Sequence, residues 1–542
     1  MTSISERVVD SRKSGEAIWL PSTLAAGALF TVLAVLGVYL RPLLPVDETR
    51  YLSVAWEMWR DHSLLVPHLN GAVYSQKPPL LFWLVDLLWS ITGVSGFGAR
   101  LIAPFFGLLS IFLTALLARR LWPDEPQAAA RAAWILATTG LFLVFGSLTM
   151  FDSLLMAATL LAIIGLIEQS RNGGLLGWPL VAVAVALGVL AKGPAIVVHV
   201  VPLALLPFLW NPGRSKQALI KWYRGFFLAM LAAGGLVAFW FLPAVLTQGE
   251  SYLEAVVWNQ GAGRVVSSFA HHKPFWFFIA LVPLFLWPWG WSGRALKAIG
   301  PGNLWRDQGG RICAIWIAAA FVIHSVFSGK QLHYLLPELP ALALVFARLD
   351  WSCAGLEGAK GWRILPLAPL LLAVPVAWAA HFGMIPQLEQ LFAPLPLWLL
   401  LSGSLGSLLL AYLLLILPHA GQVAALSSVG TLVIFYLIGT PLLQANYSGA
   451  RIGEALAEHE SLGIAQYGAK YSGEFTFLGR LTQHLEELNT PDDLRDWVKS
   501  HPGGAVIAKY EVDTLPWRPE IEVPYRGKSY LIWQVPAGAG NQ

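Results

Sequence analysis

The stretch whose reading decides the fold runs from Pro45-Val-Asp-Glu-Thr-Arg-Tyr-Leu52 to Tyr74-Ser-Gln-Lys-Pro-Pro-Leu80. Between positions 47 and 77 it gathers Asp47, Glu48, Arg50, Tyr51, Tyr74 and Lys77. Apolar runs flank it on both sides, and crossing a bilayer takes about 20 such residues. The chain therefore reads as a membrane frame that holds one polar loop at a water–lipid boundary.

Composition supports that frame. Of 542 residues, 56% are hydrophobic and only 13% charged, too little polar surface to cover a soluble globule of this size. The 25 tryptophans suit membrane interfaces, where amphipathic rings concentrate. A net charge of +4 without basic blocks gives no reason to expect a nucleic-acid partner. The two cysteines, Cys313 and Cys353, offer neither a disulfide framework nor a zinc-ligand spacing.

Lys and Arg are retained on the cytoplasmic side of short loops, and this fixes the orientation. Arg7, Arg12 and Lys13 precede an apolar run over 18–40 that is too long for a signal-peptide core and lacks a cleavage site. It reads as an uncleaved first span leaving the cytoplasm. Arg119 and Arg120, Arg171, and the group Arg214, Lys216, Lys221 and Arg224 then mark inner loops. The count is about 13 transmembrane helices, the third over 132–148, with the C-terminus outside. Two helices of the first outer segment, 41–97, are expected to lie in the interface. In one, over 48–61, Tyr51, Val54, Ala55, Met58 and Trp59 share a face opposite Arg50, Ser53, Glu57 and Arg60. The other, 79–92, is apolar but too short to cross.

From about residue 444 the composition turns polar. Helices are expected over 451–460 and from Thr490-Pro-Asp-Asp493, whose threonine, proline and acids form a helix start. Strands are expected over 504–510 and 529–535. The reading is thus a polytopic α-helical membrane domain, 1–443, and a small C-terminal α/β domain, 444–542, facing the periplasm.

Sorting the unusual polar residues by side places Asp47, Glu48, Arg50, Lys77, Asp152, Lys192, Arg264, His271, His272, Lys330 and Tyr334 on the outer face. Cations are scarce there by the sorting rule, so an anionic ligand would explain Lys77, Lys192, Arg264 and Lys330 together, and a phosphate suits them. Each residue also has a plainer reading. Asp47 and Asp152 would serve as helix caps, Lys192 and Lys330 would reach lipid headgroups, and the histidines would face solvent. Co-location carries the functional case.

Asp47-Glu-Thr-Arg-Tyr51, Gln76-Lys-Pro-Pro-Leu80, Met150-Phe-Asp-Ser153, Leu190-Ala-Lys-Gly-Pro194, His271-His-Lys-Pro-Phe-Trp276 and Ser328-Gly-Lys-Gln-Leu-His-Tyr-Leu-Leu-Pro337 follow one another along the chain. In that order they resemble the signatures of bacterial membrane glycosyltransferases of the C-type superfamily, the lipid A aminoarabinose transferases and their protein O-mannosyltransferase kin. The resemblance implies a sugar donor on a polyprenyl (undecaprenyl) monophosphate, used at the periplasmic face of the bacterial inner membrane by a monomeric integral enzyme. It implies lipid A or another envelope molecule as acceptor. By position, Asp47 matches the aspartate expected near the reacting centre; Lys77 and Asp152 match the cavity lining and complete the expected catalytic set. Arg50, Tyr51, Tyr74, Gln76, Lys192, one of His271 and His272, and Tyr334 match the cavity lining. The family often carries glutamate where this chain has Gln76. A neutral amide is a poor zinc ligand, so no cofactor or metal is expected.

Displacing a lipid phosphate from an anomeric carbon develops negative charge on the leaving oxygen, which Lys77 and Arg264 would stabilise with Lys192, Lys330 and a histidine in support. Asp47 would take the proton of a hydroxyl acceptor, or orient groups if the acceptor is a phosphate already ionised. Attack opposite the phosphate inverts the anomer. A protein O-glycosyltransferase is the rival within enzymes. A flippase or secondary transporter is the rival outside them, but transporters place their polar site near the midplane between repeats, and no repeat is visible.

Overall fold

Where lipid is the solvent, every backbone N–H and C=O must pair within its own segment, so the apolar runs fold as helices. The computed structural model describes residues 4–172, 176–256, 273–291, 296–297, 299–349, 361–392, 395–509, 515 and 517–537. Among these, seven helices are long and apolar enough to cross a membrane, beginning with residues Trp19–Leu40 of α1 (Ile4–Leu40). Shorter apolar helices, such as α9 (Gly177–Lys192) and α10 (Ala195–Leu205), pack among them.

Small residues set the closest approaches in the bundle, as lipid-embedded helices require. In α8 (Asp152–Asn172), a Cβ on Gly165 would stand 2.9 Å from the Gly177 carbonyl oxygen and from Val181. The hairpin of α8 and α9 closes only because glycine is there. It brings the first residue of α8 and the last of α9 to the same end.

The third expected span is not continuous. It divides into α6 (Pro126–Ala137) and α7 (Gly140–Phe145) at Thr138 and Thr139. Both threonine hydroxyls donate back to carbonyls of the preceding turn, an arrangement that bends helices. Trp289 Nε1 donates to Thr138 Oγ1 at 3.1 Å, and the Trp287 ring fills the space beside Gly140, where a Cβ would sit 2.0 Å from it. Two tryptophans from a distant helix end therefore wedge into the break.

The segment between the first two long apolar helices holds α2 (Asp47–Arg60), a hairpin of β1 (His68–Leu69) and β2 (Ala72–Val73), and α3 (Leu80–Thr92). The C-terminal region is a five-stranded mixed sheet in the order β4-β3-β5-β7-β6. Its strands are β3 (Ile464–Tyr467), β4 (Glu486–Leu488), β5 (Ala505–Ala508), β6 (Ile521–Tyr525) and β7 (Lys528–Gln534). β3 pairs parallel with β4 and β5; β7 pairs antiparallel with β5 and β6. The helix Ala450–His459 packs Ile452 and Leu456 on one face, and the helix Pro491–Ser500 packs Leu494 and Trp497 on the other. The latter opens on a capping box between Thr490 and Asp493 with proline in its first turn.

Half of the polar face of α2 is turned to protein rather than to water. Ser53 and Glu57 are buried. Ser53 Oγ donates to Gly473 O at 2.8 Å and accepts from Phe477 N at 3.0 Å; Trp56 Nε1 donates to Leu481 O. Phe477 stacks on Trp89, rings 5.6 Å apart and 2° from parallel. The C-terminal region thus covers the outer loop directly.

Candidate active site

Asp152 begins α8 and Lys192 ends α9, positions where the helix dipole favours an acid and a base respectively. They meet: Lys192 Nζ lies 2.5 Å from Asp152 Oδ1, with both side chains largely buried. His333 Nε2 approaches the other carboxylate oxygen at 3.9 Å. The Tyr334 ring lies 4.7 Å from the Lys192 ammonium, a cation–π distance. The neighbour of Asp152, Phe151, is an aromatic hub. Lys77 Nζ stands 5.7 Å from its ring centre, and the Tyr51 and Phe82 rings meet it edge-on.

Helix α2 supplies the opposite wall. Asp47 is its first residue, one past the N-cap Val46, and its Oδ1 accepts from the Tyr51 hydroxyl at 3.1 Å. Burial, and then the charge of Asp47, hold the Tyr51 hydroxyl well above its usual range, so it stays a neutral donor. Arg50 Nη1 reaches Gln76 Oε1 at 3.4 Å.

A cavity of about 420 Å³ opens between these walls, lined by Pro45, Asp47, Phe145, Met150, Lys273, Lys330, Gln331 and His333 among others. A second space of about 440 Å³ adjoins it. Its lining is mostly apolar: Phe275, Ile279, Phe321, Val322 and Val326. The two share only Lys273 and Lys330. Lys330 is 3% exposed, and its ammonium donates to the carbonyls of Lys273, at 3.0 Å, and Phe327. Burial lowers its proton affinity. Lys330 and Lys192 are therefore tied into the protein rather than reaching for headgroups.

Glu48 also borders this cavity, but its carboxylate is taken up by the scaffold. Its Oε2 lies 2.5 Å from Arg41 Nη1 and 3.8 Å from Arg100 Nη2, and it accepts from the backbone of Leu44; Oε1 accepts from Thr149 N. A carboxylate so committed is a strut beneath the cavity. Arg264, His271 and His272 lie outside the described residues. Asp47, Arg50, Tyr51, Tyr74, Gln76, Lys77, Asp152, Lys192, Lys330 and Tyr334 are brought to one end of the bundle. His333 and Lys273 were not singled out, although both fall inside the quoted motifs. Arg41 and Arg100 gave no signal, because only the fold shows that they face Glu48. Among the described residues no group of three His, Cys, Asp or Glu side chains could hold a metal ion.

A family profile described as "Dolichyl-phosphate-mannose-protein mannosyltransferase" matches residues 76–240, which include Lys77, Asp152 and Lys192. The "Undecaprenyl phosphate-alpha-4-amino-4-deoxy-L-arabinose arabinosyl transferase" of Pseudomonas aeruginosa (strain LESB58) is 30% identical over 305 residues, 55% of this chain and 54% of that protein. The chain thus spans about half the length of the first curated relatives it matches. A second enzyme of that name from Pseudomonas fluorescens (strain Pf0-1) is 25% identical over 91% of this chain and 94% of its own. The crystal structure of ArnT from Cupriavidus metallidurans bound to undecaprenyl phosphate superposes with a TM-score of 0.75 at 17% identity, covering 97% of this chain and 99% of that one. The chain has the ArnT fold. The apo structure of the same Cupriavidus protein gives a TM-score of 0.74. ArnT-like architecture means a polytopic helical membrane protein with a C-terminal mixed sheet, as found above.

Proposed function

We propose that the protein transfers a sugar from an undecaprenyl-phosphate donor to a cell-envelope acceptor such as lipid A, at the periplasmic face of the inner membrane, with inversion. The observation that carries this reading is the junction at Lys273 and Lys330, where an apolar trench meets a polar cavity. A polyprenyl phosphate has the same division: a chain for the trench and an anion for the lysines. The names of the Pseudomonas relatives support the donor class and an aminoarabinose as the sugar.

In this reading Lys77 and Lys192 stabilise the charge that grows on the departing phosphate, worth about 10²–10³ in rate for one donor. Asp152 holds Lys192 in place. Asp47, on the opposite wall, takes the proton of a hydroxyl acceptor or steadies the positive charge at the sugar when the acceptor is a phosphate. Arg50, Tyr51, Tyr74, Gln76 and Tyr334 line the sugar and phosphate sites, with Arg264 and a histidine of the pair at 271 and 272 contributing from the outer loop. Glu48 acts from beneath. The chain crosses the membrane about 13 times, with 1–443 as the membrane domain and 444–542 facing the periplasm.

The test is mass spectrometry of lipid A from a deletion strain complemented with the wild-type gene or with Asp47→Asn. A modification restored by wild type and lost in the variant supports the reading. A profile identical in all strains removes lipid A as the acceptor. The match to a protein mannosyltransferase family favours a second reading, a polypeptide acceptor, which glycoproteomics of the same strains would detect.

A further inference from the structure

Deep in the helical bundle lie three ionisable side chains that the proposed chemistry does not use. His199 of α10 places Nδ1 2.5 Å from Oε1 of Glu338, with side chains 0% and 5% exposed. His324, buried in the helix Gln308–Val326, has its ring 5.6 Å from that of His199 and 5.8 Å from that of Tyr334. Among the described residues, no hydrogen-bond partner meets His199 Nε2, Glu338 Oε2 or either nitrogen of His324.

Stability does not account for this cluster. A buried pair with unmet polar atoms contributes less than well-packed apolar side chains of the same volume. Ionisable groups inside a membrane domain are costly and point to function. Position along the chain shows what the pair joins. His199 lies just past Lys192-Gly193-Pro194, the corner at which α9 turns into α10. Glu338 ends the 3-10 segment Leu332–Glu338, which carries His333 and Tyr334. Those two segments supply the groups on the two oxygens of Asp152: Lys192 on one, His333 on the other. A bond from His199 to Glu338 therefore closes a loop whose far side is the Asp152 cluster.

We infer that His199 and Glu338 are positioning residues, a strut that fixes the separation of the Lys192 corner from the His333–Tyr334 segment. The inference rests on the proposed glycosyltransferase reading of that cluster. Without the strut the segments can slide, and a displacement near 1 Å costs up to about 10²-fold in rate.

The full-length protein in lipid nanodiscs is assayed with undecaprenyl phosphate-4-amino-4-deoxy-L-arabinose and lipid A, alongside its thermal unfolding. The double variant His199→Phe/Glu338→Leu is expected to unfold no earlier than wild type, lose about tenfold or more in kcat, and change donor KM by less than about threefold. Glu338→Gln, which can still bond His199, is expected to stay within about threefold of wild-type kcat. A double variant of wild-type stability with kcat within twofold of wild type overturns the strut, as does Glu338→Gln falling as far as the double variant. If the double variant does not fold, Glu338→Asp decides, since it draws the carboxylate back by one methylene. Its kcat falls about tenfold if the strut sets the geometry, and unchanged kcat refutes it. Wild-type protein that transfers nothing removes the glycosyltransferase reading and the strut together, a result distinct from an active wild type with indifferent variants.

Discussion

Lys192 Nζ lies 2.5 Å from Asp152 Oδ1, so a salt bridge joins the last residue of α9 to the first of α8. Neither residue should act alone. Asp152→Asn frees Lys192 to move, and Lys192→Met leaves a buried carboxylate without its main partner. Each substitution is expected to lower kcat/KM by about 10². The double variant should cost much less than the product of the two. Steady-state kinetics of the three variants checks this; full additivity would mean the two groups work independently.

Glu48 shows how a charged motif residue serves the scaffold. Burial alone would raise its proton affinity, but Arg41 and Arg100, together with the backbone N–H groups of Thr149 and Leu44, hold the carboxyl below its ordinary value of 4.5. A depressed folded-state value means the contribution to stability is fully present above pH 4.5 and is lost as pH falls through the folded value. Glu48→Gln is expected to destabilise the protein by about 3–5 kcal/mol near neutral pH, because two buried guanidinium groups lose their counter-charge. Thermal unfolding at pH 7 against pH 4 should show the deficit shrinking with acid.

Asp86 of α3 runs the other way. It is 6% exposed, neither carboxylate oxygen has a hydrogen-bond partner among the described residues, and burial pushes it up to about 7 from 3.8. α3 is the short apolar helix read as lying along the interface. With its folded value raised, the carboxylate costs stability progressively as pH climbs from 3.8 to 7, by about 4 kcal/mol once fully ionised. Asp86→Asn is therefore expected to raise the unfolding temperature at pH 8 and to gain little at pH 4. An equal gain at both pH values would mean that desolvated charge is not the cause.

Ser53 joins the outer loop to the C-terminal region with two hydrogen bonds through one hydroxyl. Ser53→Ala leaves a buried amide and a buried carbonyl unmet, at a cost of about 1–3 kcal/mol. Hydrogen–deuterium exchange should rise first over residues 471–485, ahead of the sheet. Unchanged exchange there would show that the stacking of Phe477 on Trp89 holds the contact by itself.

Much of the site was legible because its residues interrupt apolar sequence. Asp47, Lys77, Asp152, Lys192 and Lys330 stand out against lipid-compatible neighbours, and charge sorting put them on one side. His333 and Lys273 were harder to find, since each sits beside a residue that drew the eye first. The face of α2 was misjudged for a physical reason. A polar stripe at helical spacing looks the same whether water or a protein surface satisfies it, and here Ser53 and Trp56 bond to the C-terminal region.

Hydropathy and charge determined by themselves that this chain is a bundle of membrane helices with its ionisable groups gathered at one rim, because lipid leaves a helix few alternatives and lysine crosses it at a cost. Which ionisable groups face the cavity and which brace it was decided only by tertiary structure. Asp47 and Glu48 are adjacent in sequence, yet a helix turns 100° per residue. Both residues border the cavity, but the Asp47 carboxylate bonds only a tyrosine hydroxyl among the described residues, while that of Glu48 is tied to two buried arginines.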